Sequence, residues 1–258
     1  MSFISEISTS LISYIKRPAL YPELGRKIIK NIFYRNSATK GKDLATDWCI
    51  KNSITQEEAV KLFNNKDPKV DIFNSFKDET SYALEKEKNS PVKMGGAGAL
   101  NLIYVITEHL NAKNVLETGV AYGWSSLAIL LSLQNRNGVL YSSDMPYVTK
   151  NNDDFVGIVI PESLKKYWKL FRYADQESLP KIFKEQNTFD FIHYDSDKAY
   201  KGRMWAYNTI WPKVKAKGVF MSDDISDNSA FMDFCIKKNL KPIIVSFDDK
   251  FAGLIIKD

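Results

Sequence analysis

The apolar positions of this chain keep two rhythms. From Asn114 onward, short apolar runs recur at Val115–Leu116, Val139–Ser143, Leu170–Tyr173, Phe189–Tyr194 and Gly218–Met221, and each predicts a buried strand. Between them apolar residues return at helical spacing, at Leu127–Leu131, at Trp205, Ile210 and Trp211, and at Phe231, Phe234 and Ile236, while Glu162–Trp168 reads as a further helical piece. Two last runs, Pro242–Phe247 and Phe251–Ile256, flank Asp248, Asp249 and Lys250 and predict a closing hairpin. Strand and helix in alternation predict an α/β chain with a mostly parallel sheet.

The first 93 residues read differently. Phe3, Ile4, Ile7, Leu11 and Ile15 recur at helical spacing, Pro18 and Pro22 punctuate the next stretch of chain, and Thr55 with Glu58 forms a capping box for a helix through Phe63. Asn89, Ser90 and Pro91 mark a boundary. We therefore expect a helical N-terminal region over 1–93, a substrate cap or oligomerisation element, and a main domain over 94–258. The main domain opens on Gly95, Gly96 and a helix carrying Leu100, Ile103, Val105, Ile106 and Leu110, with His109 a structural residue late in it.

The stretch Asn114–Leu131 carries the first chemistry. Val115 and Leu116 end on Glu117, Gly119 and Gly123 come next, and Trp124, Ser125 and Ser126 open the next helix. Glycines suit such a strand-to-helix turn because they accept positive φ and leave no Cβ in the way of a ligand. A carboxylate at the strand end then faces hydroxyls or a positive charge, as in a nucleoside pocket. The spacing is E-x-G-x-x-x-G-x-S, with Ala121 where a dinucleotide fold wants its middle glycine, and no Lys comes after Gly123 to make a phosphate-binding loop. A glycine turn without a ligand is the plain alternative.

Composition changes the picture little. The 258 residues are 44% hydrophobic and 26% charged, ordinary for a soluble globular protein. No apolar stretch approaches the roughly 18 residues of a membrane span, and Glu6, Ser8 and Ser10 interrupt any signal-peptide core, so a cytoplasmic location is expected. Cys49 and Cys235 have no neighbours at zinc-ligand spacing. Of the net charge of +5, residues 1–42 hold eight basic against two acidic side chains. That segment suits the solvated face of a helix, or a weak association with a membrane surface, an acidic partner or an anionic substrate. Nucleic acid is not an expected partner, since the rest of the chain has no basic excess.

Two more acidic groups stand at strand ends. Val139–Ser143 ends on Asp144, placed to accept both hydroxyls of a ribose. Phe189–Tyr194 releases Asp195, Ser196, Asp197, Lys198 and Tyr200, and Gly218–Met221 delivers Ser222, Asp223 and Asp224. Adjacent parallel strands would bring Asp195, Asp223 and Asp224 to one edge, where three carboxylates repel unless a cation or proton intervenes. All-oxygen ligation suits Mg²⁺, Ca²⁺ or Mn²⁺. Lys198 beside such a cation would have its pKa lowered and serve as a base; alternatively it pairs with Asp197 on the surface, and Asp197 is a helix cap. His193, one residue before the strand end, reads as a satisfied strand residue, with a second candidate base as the alternative.

These motifs resemble those of class I S-adenosylmethionine-dependent methyltransferases. The glycine motif is similar to the catechol-type enzymes, D-S-D-K-x-Y resembles the D-x-D-K-x-Y element of cation-dependent O-methyltransferases, and Asp223-Asp224 resembles the D-D of the macrolide-sugar enzymes. The resemblance spans residues 94–258 and implies a Rossmann-like fold with a mostly parallel seven-stranded sheet ended by an antiparallel hairpin. It implies S-adenosylmethionine contacts at Met94, Glu117, Gly119, Gly123, Ser125, Asp144 and Asp175. It also implies Mg²⁺ or another divalent ion on Asp195, Asp223 and Asp224, catalytic roles for Asp195 and Lys198, a small hydroxylated acceptor such as a sugar or natural-product intermediate, and a homodimer. The polar segment 145–161 is expected to be a lid. A fold that has lost its chemistry, or a metal-independent methyltransferase, is the alternative.

Overall fold

The computed structural model describes Tyr14 and residues 17–26, 39–64, 69–146 and 152–258. The helically spaced Phe3, Ile4, Ile7, Leu11 and Ile15 lie outside them, as do Lys16, Lys27, Lys30 and Arg35 of the basic N-terminal segment. No helix among the described residues is long and apolar enough to cross a membrane.

Among the described residues eight strands form one sheet: β1 Ser53–Thr55, β2 Asn114–Thr118, β3 Val139–Ser143, β4 Trp168–Phe171, β5 Phe189–Tyr194, β6 Val214–Ser222, β7 Ile243–Phe247 and β8 Lys250–Ile256. Their order is β1-β7-β8-β6-β5-β2-β3-β4, parallel throughout except where β8 pairs antiparallel with β6 and β7. The hairpin is thus as expected, and the count is eight because Ser53–Thr55, which in sequence is only the approach to a helix cap, pairs in parallel with β7. β4 lies two residues earlier than the apolar run suggests, because Glu162–Tyr167 is a tight 3₁₀ segment that releases the chain at Trp168.

Eight helices matter for the site: α1 Lys42–Asn52, α2 Gln56–Phe63, α3 Lys77–Lys88, α4 Leu100–His109, α5 Trp124–Leu133, α6 Asp175–Glu185, α7 Tyr200–Ile210 and α8 Ala230–Lys238. They cover both faces of the sheet, which explains why β2 and β5 are apolar on successive residues rather than alternately. On one face α4 and α5 join Ala59, Val60 and Phe63 of α2 and Ala83 of α3 in one core. On the other, Cys49 of α1 packs with Leu179 and Ile182 of α6, Tyr207 and Ile210 of α7, and Phe231 and Phe234 of α8. Burying a large apolar side chain in these cores contributes about 1.5–3 kcal/mol. Thr55 caps α2 as expected, its hydroxyl accepting from Glu58 N–H while the Glu58 carboxylate accepts from Thr55 N–H. His109 is satisfied structurally, with Nδ1 at 2.8 Å from the Phe63 carbonyl.

The strands run outward in both directions from the β2–β5 boundary. In an open α/β sheet the ligand crevice opens at such a reversal, beyond the carboxyl ends of the strands.

Candidate active site

The register of the sheet builds the site. Glu117 of β2 lies beside His193 of β5, which lies beside Met221 of β6, and Thr118, Tyr194 and Ser222 form the next row. The ladder then continues one residue past the strands. Gly119 N–H donates to Ser143 O at 2.8 Å, Asp144 N–H to Phe171 O at 3.0 Å, Asp195 N–H to Thr118 O at 2.8 Å, and Asp223 N–H to Tyr194 O at 3.0 Å. Four residues predicted from the sequence are therefore placed on one edge by backbone hydrogen bonds alone. Above that edge lies a cavity of about 590 Å³, within the range of small-molecule sites. Gly119, Ser125, Asp144, Asp175, Asp195, Lys198, Asp223 and Asp224 line it, with Gly95 to Gly98, Trp205, Phe247 and Lys250. A second hollow shares Ala97, Gly98, Leu100, Phe247 and Lys250 with it and continues toward Glu57 and Asp249.

Gly119 has φ +84°, and a Cβ there would stand 2.4 Å from the Asp195 carbonyl oxygen. Only glycine lets β2 turn this close to the end of β5. Gly123, at φ +96°, does not line the cavity; a Cβ on it would meet Gly157 Cα at 3.0 Å and Ile160. Residues 157–160 of the segment expected to be a lid pack there. Gly157 N–H donates to Ala121 O and Val159 N–H to Tyr122 O, and Asn152, Val159 and Ile160 are fully buried. Residues 147–151 of that segment lie outside the described residues.

Glu117 is also turned away from the cavity. It is fully buried, and its carboxylate accepts from Ser125 Oγ at 2.7 Å, Ser126 Oγ at 2.5 Å and Ser142 Oγ at 2.8 Å. Ser125 and Ser126 sit in the first turn of α5, so the carboxylate also meets the positive end of that helix. The motif's acid thus ties strand, turn and helix together. Met94 lies off the cavity as well, its Sδ accepting from Asn152 Nδ2 at 3.2 Å, while the glycines after it form the wall.

Asp144 is nearly buried. Its Oδ1 accepts from Val120 N–H at 2.9 Å, and its Oδ2 pairs with Arg172, whose other nitrogen donates to Asp153 at 2.7 Å. Burial raises the Asp144 pKa against the pull of Val120 N–H and Arg172. Asp175 accepts from Ser143 Oγ at 2.6 Å and from Ser196 Oγ at 2.5 Å, yet burial pushes its pKa up to about 6.

The acidic group is arranged around this chain's own cations. Lys198 Nζ pairs with Asp195 and lies 2.8 Å from Asp224 Oδ2. Burial alone would lower the Lys198 pKa, but the two carboxylates raise it, the reverse of the direction expected from the sequence. Asp195 is pushed up to about 6 by burial and by the charge of Asp223. Asp197 accepts from Ala199 N–H at 2.8 Å in the turn before α7; the N-cap of that helix is Ala199, so Asp197 is not the helix cap expected from the sequence. His193 is no ordinary strand residue: it is buried, lines the cavity, and places Nε2 3.3 Å from Asp223 Oδ2 and Nδ1 3.8 Å from Glu117 Oε1. Burial opposes its charge, yet those carboxylates raise its pKa to about 10.

Arg203, one turn into α7, has no counterpart among the sequence expectations. It is fully buried, and its guanidinium donates to the carbonyls of Asp224 at 2.7 Å and Asp223 at 3.3 Å. Asp224 sits at φ +51°, so Arg203 clamps a turn that the backbone does not favour. A basic residue on the apolar side of a helix with Tyr207 and Ile210 is the signal it leaves in the sequence.

The donor set of Asp195, Asp223 and Asp224 is all oxygen, which is the chemistry of a hard divalent ion. Asp223 Oδ1 is buried without a hydrogen-bond partner among the described residues, which also fits such an ion. As they stand, however, no three acidic, histidine or cysteine side chains among the described residues converge as a metal cluster, since Lys198 fills the space between Asp195 and Asp224.

Residues 116–225 match a family model described as a methyltransferase domain. No curated protein sequence matches the chain significantly. Among solved structures, an O-methyltransferase from Bacillus cereus in complex with SAH superposes with TM-score 0.56 at 13% identity, covering 77% of this chain and all of that one. TomG from Streptomyces achromogenes, an O-methyltransferase of tomaymycin synthesis in complex with SAM, gives 0.55 at 12% identity, covering 70% and 90%. SAH-bound PaMTH1 from Podospora anserina gives 0.52 at 15% identity, covering 88% and 97%. Such identities speak for the fold, and the family model lies over the motif-bearing part of the chain. Residues 116–225 thus resemble a methyltransferase domain, and the chain shares the fold of these methyltransferase structures.

Proposed function

We propose that the protein is an S-adenosylmethionine-dependent O-methyltransferase for a small hydroxylated molecule, with Asp195, Asp223 and Asp224 as the seat of a divalent cation. The observation that carries the reading is the cavity in which the glycine turn, Asp144 and Asp175 meet the acidic group of β5 and β6. S-adenosylmethionine carries a sulfonium, and the many carboxylates of this wall favour a cationic ligand. Asp144 and Asp175 are the acceptors for the nucleoside, and Ser125 with the backbone of Gly119 borders the amino-acid end. The acceptor then enters from the second hollow, past Phe247 and Lys250.

A divalent cation bound to the three aspartates would lower the pKa of a coordinated acceptor hydroxyl. Paired with Asp195 and Asp224, Lys198 is an ammonium; a cation taking those carboxylates would free it to lose its proton and accept the acceptor's at Nζ, while Trp205 and Phe247 border the reacting pair. Holding methyl donor and hydroxyl at contact distance adds the advantage of proximity and orientation.

The Lys198 bridge favours a second reading, in which its ammonium is the resident cation and no metal is needed. Methyl transfer to vicinal diols, measured with labelled S-adenosylmethionine before and after exhaustive chelation, separates the two. Activity lost with EDTA and restored by Mg²⁺ or Mn²⁺ supports the first reading. Undiminished activity after chelation refutes it and leaves the second.

A further inference from the structure

We propose that residues 17–26 form a wall of the cofactor cavity and that Glu23 accepts a hydrogen bond from the nucleoside half of the ligand; this rests on the function proposed above. Glu23 is the residue of this N-terminal segment that lines the main cavity, on the side where Met145, Ala174, Asp175 and Gln176 also face it. That side lies over β3 and β4, away from the aspartates of β5 and β6 that serve the acceptor. None of the motifs of the methyltransferase domain includes it, since the matched region begins at residue 116.

The segment is held in place at three points. Arg26 donates from Nε to Glu23 Oε2 at 2.8 Å and from Nη2 to Glu177 Oε2 at 2.6 Å, so it fixes Glu23 to the first turn of α6. Arg17 pairs with Asp153, which also accepts from Arg172, the partner of Asp144. Leu20 and Tyr14 are buried against Leu24 and Met145. Met145 adjoins Asp144 in the chain and lines the cavity, so this small apolar cluster seats the segment on the cofactor site itself.

Glu23 Oε1 carries no hydrogen bond among the described residues, whereas Oε2 is engaged by Arg26. A carboxylate fixed by one oxygen and lining a cavity accepts from a ribose hydroxyl or an exocyclic amine with little loss of side-chain freedom. The arginine chain also links the segment to the ribose-facing acid: Arg17, Asp153, Arg172 and Asp144 form one run of ion pairs from the N-terminal segment to the glycine turn.

The test uses the full chain with S-adenosylhomocysteine and, as a probe of the nucleoside half alone, 5′-methylthioadenosine. Titration calorimetry is run on wild type, Glu23→Ala and Arg26→Gln, with thermal midpoints to confirm folding. Trypsin cleavage after Arg26 of the wild type is tracked by mass spectrometry with and without S-adenosylhomocysteine. We expect both variants to weaken both ligands at least fivefold, and the ligand to slow cleavage at Arg26 at least tenfold. Wild type that binds while the variants bind equally well, or cleavage that ignores the ligand, overturns this proposal alone. Wild type that binds neither ligand overturns it together with the function proposed above. If Glu23→Ala does not fold, Arg26→Gln, which leaves the carboxylate in place but unlatched, decides.

Discussion

Replacing Glu117 by Gln asks whether the acid of the glycine motif serves the ligand or the fold. The amide keeps the shape, but its NH2 no longer accepts, so at least one of the hydroxyls of Ser125, Ser126 and Ser142 must exchange its bond to a charged oxygen for a weaker neutral one in which it accepts from the amide. A hydrogen bond to a charged group is worth about 1.5–3 kcal/mol net, and the bonds that survive fall to about half that strength as neutral contacts. His193 also loses one of its two flanking carboxylates. The sum is a destabilisation of about 3–5 kcal/mol, which for a chain of this size lowers Tm by about 6–20 °C. Circular dichroism melting measures this directly. Calorimetric titration with S-adenosylhomocysteine, well below the variant's midpoint, should give a Kd within about threefold of wild type, because Glu117 does not line the cavity. A Tm within about 2 °C of wild type, combined with a loss of binding beyond tenfold, would refute the reasoning and return Glu117 to the ligand.

Gly119→Ala forces a Cβ to 2.4 Å from the Asp195 carbonyl at a φ of +84°; strain and overpacking together cost about 2–5 kcal/mol, so Tm should drop and methyl transfer fall further than Tm explains, as Asp195 is displaced. Arg203→Met leaves the Asp223 and Asp224 carbonyls without their buried donor and should cost about 3 kcal/mol in a urea unfolding series, with activity reduced in the folded fraction. For Asp175 the folded pKa of about 6 lies above the ordinary 3.8, so its protonation favours the fold at low pH and this contribution is lost as pH rises through about 6. Asp175→Asn should therefore show a flatter dependence of Tm on pH between about 4 and 6 than wild type, and an identical slope would contradict the assignment.

The strand-end acids are legible in the sequence because parallel strands make a simple promise. An apolar run buried on both faces must surface at its carboxyl end, and the first polar residue there faces the crevice. Asp144, Asp195 and Asp223 can be found for that reason, and the closing hairpin shows in two runs around Asp248-Asp249. Glu117 obeys the same pattern, yet three serines draw it inward, and their convergence depends on register that no spacing in one sequence reveals. His193 looks ordinary in sequence because its neighbours, Glu117 and Asp223, come from two other strands. Ser53–Thr55 is hidden since three residues show no period, and only the free edge of β7 makes them a strand. Arg203 and Arg172 act on groups 21 and 28 residues away, where local pattern carries no information.

The central claim is that the cavity above β2, β3 and β5 holds S-adenosylmethionine, and calorimetric titration of that cofactor into the purified chain tests it most directly. The account predicts saturable one-to-one binding that Asp144→Ala weakens at least tenfold while the variant still melts cooperatively. Wild-type protein that gives no heat and no shift in Tm with the cofactor, with or without Mg²⁺, would contradict it.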